Sequence, residues 1–404
     1  MPLNKIHPAT HPDLFELFTT KFRELDEAHL TIINSSKRKN YLMINTPFHL
    51  PDSPTDVFNQ QSYFRDGGFL KLLEPYYDDI KSGNTKVVFF FVDWWGFCNW
   101  KETNNELNGN LVSYDIYKWV YKHLKEQDLL LHSCFVSPQS TMFVQQYPDF
   151  PILEYNEPFN RYFTHGQAVT DTKTTPYGFT DFMFNLNRRP RPHRLYAFHE
   201  FYRYGLLDDA KYTFHYFSEE VGENYPMMAH LQDKLLGWTD TVDFNVLDYM
   251  SSNFSEDISY DVSGDMQFLE QLQNLNKVSG NCYLEAVTEY NCSNTKVFLT
   301  EKISRSIVLR NPFIVFGDRF TITELHRRGF KTFGKSWDES YDSLPTAIER
   351  IDAAIKILID VREEGRWRKG HYDEAIQDVI EHNRNWYFGG YKQRQLDTFK
   401  RIFD

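Results

Sequence analysis

Short apolar runs of strand length alternate with longer amphipathic stretches along most of the chain. In the first half, 41–45 and 86–93 read as buried strands, and 129–136 and 151–155 read likewise. Apolar residues recur at three- and four-residue spacing over 13–28, 69–80 and 113–126, which predicts helices. The second half repeats the pattern, with strands predicted at 182–187, 211–217, 282–289, 313–316 and 330–333. Helices are predicted there at 193–204, 227–236, 301–310, 321–328, 343–366 and 371–385, and a terminal amphipathic segment at 391–403. This alternation points to an α/β fold, parallel sheets flanked by helices. The acidic, irregular stretch 240–265 reads as an insertion or loop.

Length turns that pattern into two domains. A chain of 404 residues exceeds what one ordinary core serves. The polar run 170–180 marks the expected boundary, giving a first domain over 1–178, a second over 179–385 and a terminal helix over 386–404. Hydrophobic residues at 41% and charged residues at 25% fit a globular chain. Aromatic residues reach 17%, enough to fill both cores and still line a cleft for a sugar or a base.

Charge narrows the partners. A net charge of −12 argues against a surface devoted to polyanions, while leaving room for a local basic cleft. The longest apolar run, 87–92, falls far short of the ~20 residues of a membrane span, and no signal peptide is evident. Four cysteines without C-x-x-C spacing suggest reduced thiols and a cytoplasmic protein.

Candidate chemistry concentrates in the second half. Thr300 is placed to cap a helix whose first turn carries Glu301 and Lys302, and Asn311-Pro312 ends that helix before a buried strand. In a parallel α/β sheet such helix starts lie at the ligand edge, where the helix dipole favours anions. A carboxylate there, Glu301, can accept both ribose hydroxyls, and a cation, Lys302 or Arg305, can neutralise a diphosphate. The run from Arg188 to Arg194 follows an apolar strand directly. Its Arg189, Arg191 and Arg194 suit a phosphate clamp, since guanidinium pairs bidentately with phosphate oxygens. Glu289, ending a strand just before the Thr300 helix, is a further candidate contact. No Asp-x-Asp pair, metal-ligand cluster, P-loop or Gly-x-Ser-x-Gly elbow occurs, so neither a metal nor a cofactor is expected.

The segment from Phe298 to Gly317 resembles the donor-binding domain of GT-B glycosyltransferases. It is most similar to the fucosyltransferase pattern of Thr-Glu-Lys at a helix start, a turn, Pro, an apolar strand and Gly. Ser306 and Arg310 depart from that pattern, so it does not specify fucose. Gly329–Phe333 and Asn187–Arg194 look like segments of phage-encoded glycosyltransferases. The resemblance spans roughly 182–345. It implies two Rossmann-like domains facing a cleft, the terminal helix crossing back to the first, and metal-independent, inverting transfer from a nucleotide-diphosphate sugar.

In the GT-B layout the first domain holds the acceptor and supplies the base. Asp93, ending the most apolar strand there, is the candidate, with Glu154 in reserve and His165 behind it. Trp94, Trp95 and Trp100 are candidates for an acceptor platform. The phage-like segments imply a hydroxymethylated base in double-stranded DNA as acceptor, in a host cytoplasm. A surface glycan is the alternative, and a non-catalytic nucleotide-binding module a third reading.

Overall fold

The computed structural model describes residues 4–6, 30–34, 40–45, 66–90, 116–137, 152–154, 157–160, 162–163, 166–169, 178–187, 191–214, 242–250, 265–292 and 297–403, with 235, 238–239, 253–254 and 294. They form a mixed α/β structure with two sheets. Contacts divide the chain into two compact units, Met1–Glu157 with Gln393–Asp404, and Pro158–Lys392.

The first unit carries six strands: β1 (Asn4–Ile6), β2 (Leu30–Asn34), β3 (Asn40–Asn45), β4 (Thr85–Phe90), β5 (Ser133–Ser137) and β6 (Ile152–Glu154). They lie side by side in sequence order, all neighbours parallel except the β2–β3 pair. The expected helix over 69–80 is broken. Leu70–Leu73 (α1) and Tyr77–Lys81 (α2) flank a tight turn at Glu74–Tyr76, because Pro75 lacks the N–H that an unbroken α-helix needs. Helix α3 (Ile116–Glu126) buries Val120 and Leu124, four residues apart on one face. The rings of Phe69, Phe89 and Phe135 pack in series, with centroids 5.7 and 5.2 Å apart. Short α4 (Glu157–Asn160) follows β6.

The second unit holds β7 (Asp181–Asn187), β8 (Ala210–Phe214), β9 (Cys282–Thr288) and β10 (Phe313–Phe316). All are parallel, in the order β10-β9-β7-β8. The helices are α5 (Pro192–Arg203), α6 (Asp265–Ser279), α7 (Glu301–Val308), α8 (Thr321–Arg327), α9 (Ala347–Glu363), α10 (Glu374–Trp386) and α11 (Lys392–Phe403), the last running almost wholly within the residues grouped with the first unit. Parallel strands covered on both faces are apolar at nearly every position, and all seven residues of β9 are buried.

The segment from Pro158 onward belongs to this unit through an aromatic cluster. Phe159 meets Phe330 and Tyr391 edge-on at 5.4 and 5.5 Å, and Phe163 meets Tyr387 at 4.8 Å. The Tyr387 hydroxyl donates to the Phe159 carbonyl at 2.7 Å. Residues 330–333, expected as a strand, form no ladder. Instead the Glu339 carboxylate accepts from Thr332 Oγ1 and the Phe333 N–H, and Asn383 brackets Lys331 at both its N–H and its carbonyl. Side chains satisfy the backbone there that a neighbouring strand would otherwise serve.

Candidate functional site

Chain direction in the second sheet creates the site. From β7 the chain goes to β8 on one side, then returns to β9 on the other. The connections diverge at the carboxyl ends of β7 and β9, and such a switch point opens a crevice. Its floor is a ladder of buried polar side chains. Asn185 donates to the Ala286 carbonyl at 2.7 Å, Asn187 to Asn185 Oδ1 at 2.6 Å, and Thr288 to Asn187 Oδ1 at 2.6 Å.

Glu289, just beyond β9, is buried and organises the crevice. Its carboxylate accepts from the Thr300 N–H at 3.2 Å, the Tyr290 N–H at 3.1 Å, and the Thr300 hydroxyl in a shorter contact. Its carbonyl accepts from His193 Nε2 at 2.9 Å and from Arg194 Nε and Nη2 at 3.1 and 3.0 Å. One residue thus ties the end of β9 to the starts of α5 and α7. Burial raises its carboxyl pKa, against the opposing pull of Lys302 and the Thr300 hydroxyl.

The start of α7 follows the expected chemistry. Thr300 is the cap, its Oγ1 accepting from the Lys302 N–H at 3.3 Å. Lys302 Nζ pairs with Glu301 Oε1 at 2.8 Å. Across the crevice, Arg191 stands at the residue before α5, makes no capping hydrogen bond with its side chain, and lays its guanidinium over the Tyr290 ring, 3.5 Å from the centroid.

Three cations, Arg191, Arg194 and Lys302, therefore share the crevice with two carboxylates, Glu289 and Glu301. Burial first, and then their mutual repulsion, disfavour the charged forms of Arg194 and Lys302. Burial and then Arg191 lower Arg194 to about 10. Burial lowers Lys302, Glu301 opposes, and Arg194 lowers it further. Burial, then Arg194, hold His193 well below its ordinary range. An anion entering here relieves that repulsion.

Arg305, expected as a donor contact, is placed elsewhere. It forms a buried ion pair with Glu285 in the middle of β9, and Ser306 Oγ and Asn311 Nδ2 donate to the same carboxylate at 2.8 and 2.9 Å. The two departures from the fucosyltransferase-like pattern have structural uses. Ser306 serves Glu285. Arg310 takes the left-handed conformation, φ 57°, that ends α7, with Asn311 N–H bonded to the Ser306 carbonyl and Arg310 N–H to that of Ile307.

Arg188, Arg189, Asp93, Trp94, Trp95, Trp100 and His165 lie outside the described residues. Glu154 closes β6, half-buried, opposite Ser137 of β5. The structure thus gathers Arg191, Arg194, Glu289, Thr300, Glu301 and Lys302 at one edge of one sheet. Sequence reasoning passed over Asn185, Asn187, Thr288 and Tyr290. The one available signal was Asn at alternate positions of an otherwise apolar strand. The use of His193 as a donor to the Glu289 carbonyl depends on a partner 96 residues away. Among the described residues no group of His, Cys, Asp and Glu is placed to hold a metal ion, and no helix is long and apolar enough to cross a membrane. Comparisons with known families, curated proteins and solved structures return no match for this chain.

Proposed function

We propose that the protein is a glycosyltransferase that takes a sugar from a nucleoside diphosphate and transfers it to an acceptor hydroxyl. The observation that carries this reading is the gathering of Arg191, Arg194 and Lys302 at the switch point, set beside the capped start of α7. Arg191, Arg194 and Lys302 suit a diphosphate, and Glu301 suits the paired hydroxyls of a ribose. Glu289 and His193 position these groups without needing to touch the ligand. In the transfer, the acceptor oxygen bonds to the anomeric carbon as the bond from that carbon to the diphosphate oxygen breaks. The departing diphosphate keeps the electron pair, and the cations stabilise the charge it gains. A base takes the acceptor's proton, and Asp93 remains the candidate for it. The two-domain GT-B arrangement belongs to this same proposal.

A thermal-shift screen against UDP-, GDP-, CDP- and ADP-sugars tests it. A bound donor at about 100 times its Kd adds roughly 2.7 kcal/mol to stability. Lys302→Ala is expected to weaken donor binding on the order of tenfold or more, the scale of a lost charged hydrogen bond. Absence of any shift with all four donor classes would sink the reading.

A further inference from the structure

Among the described residues, three that are not glycine have positive φ: Asp128, Arg310 and Phe320. Two have an ordinary explanation. Asp128 and Arg310 end α3 and α7, and the N–H groups beside them close the bonds of a left-handed helix terminus. Phe320 is different. It precedes α8, at φ 70° and ψ 22°, in a turn closed by the Thr321 N–H onto the Asp318 carbonyl at 3.2 Å. Glycine is the usual occupant of such a position, and a bulky side chain there is strained. Large aromatics normally offset such strain by burial, yet Phe320 remains 41% exposed. Strain held in place by its surroundings is a reason to look for a use.

The position of the turn suggests one. It leaves the carboxyl end of β10, on the same edge of the sheet as the crevice. Glu289 N–H bonds the Phe316 carbonyl at 2.9 Å, and Asp318 accepts from the Phe298 N–H, two residues before the Thr300 cap, at 3.0 Å. The ring-bearing turn is thus fastened to the strand end and to the loop that carry the donor site. Phe320 is held from below, its N–H bonding the Asp342 carbonyl at 2.9 Å. Arg319, fixed by Nε to the Ser343 carbonyl at 2.8 Å, lies over the ring at 4.6 Å from its centroid. An exposed ring with an arginine on a fixed turn is a stacking platform, and aromatic and guanidinium faces both take flat heterocycles.

We propose that Phe320, with Arg319, stacks on the nucleobase of the donor. The inference rests on the nucleoside diphosphate reading above and assigns the end of the donor distant from the transferred sugar. The phosphates sit over Arg191, Arg194 and Lys302, the ribose at Glu301, and the base beyond β9 toward β10.

The test measures dissociation constants of UDP, GDP, CDP, ADP and inorganic pyrophosphate for the full chain and for Phe320→Gly, Phe320→Leu and Phe320→Tyr. Glycine relaxes the backbone, so Phe320→Gly is expected to melt no lower than wild type. Its affinity for the preferred nucleoside diphosphate is expected to fall on the order of tenfold, the scale of a lost base–aromatic stack. Leucine fills similar volume without a ring face and should lose as much, whereas tyrosine should bind within about twofold of wild type. Pyrophosphate, lacking a base, should bind all four proteins alike. Nucleotide affinity unchanged in Phe320→Gly and Phe320→Leu overturns the assignment and leaves the donor site standing. Wild-type protein that binds none of the nucleotides overturns both.

Discussion

At the scale of single residues, His193 is the most exacting position in the site. Its Nε2 donates to the Glu289 carbonyl at 2.9 Å, and burial with Arg194 nearby keeps it neutral well below pH 6.5. The unfolded chain takes up that proton near 6.5, while the folded one refuses it. Stability from His193 is therefore present above pH 6.5 and lost as the pH falls toward the depressed folded value, at about 1.4 kcal/mol per pH unit for one proton. Glu289 has the opposite sign. Its raised pKa makes its contribution full below 4.5 and lost as the pH rises through the folded value. Thermal melts of His193→Gln between pH 7 and pH 5 should show a smaller drop in Tm than wild type. An equal drop in both would show that some other group carries the pH dependence.

At the scale of elements, the Glu285 knot fixes how α7 rests on β9. Three donors from α7 and the turn after it converge on one carboxylate with no exposure. Arg305→Ala strands that charge in the core and is expected to cost about 3–5 kcal/mol in chemical denaturation. The double variant Arg305→Met, Glu285→Leu should recover most of the loss, because replacing both members removes the uncompensated charge. A double variant as unstable as Arg305→Ala would mean that the cost lies in the acceptor lost to Ser306 and Asn311, or in packing, and not in the stranded charge. The α7 region also shows what sequence can and cannot disclose. Thr300 as a cap and Phe313–Phe316 as a strand follow from local chemistry, and both are present, while the helix ends at Val308, before Pro312 is reached, through Arg310 in the left-handed conformation. The direction of Arg305 does not follow, since it depends on Glu285 in a separate strand. Helix α6 escaped for another reason. Its sequence is rich in Gln and Asn, and among its described side chains Leu272, Leu275 and Val278 mark the buried face, with Asn276 and Ser279 buried beside them. The strand expected at 330–333 was apolar enough, but a strand needs a partner edge, and side chains of Glu339 and Asn383 took that place.

At the scale of the whole molecule, alternation of apolar and amphipathic segments was enough to indicate parallel sheets, while their strand orders were not legible. The order β10-β9-β7-β8 depends on which side of β7 the chain returns to, and local patterning carries no such information. The second unit has its own sheet, helical cover and aromatic cluster. A fragment comprising Pro158–Lys392 is expected to melt cooperatively and to bind nucleoside diphosphate within a few-fold of the intact chain, by circular dichroism and calorimetry. A fragment without a cooperative transition would show that the unit depends on the remainder of the chain. The switch point also has a consequence for synthesis. Asn185 and Asn187 find their β9 partners 101 residues later. At ribosomal speeds of about 5–20 residues per second, β7 waits roughly 5–20 seconds with one of its edges unpaired. The crevice that gathers the cations thus stays open until β9 and α7 follow, and β7's open edge is where a nascent chain most needs shielding from other strands.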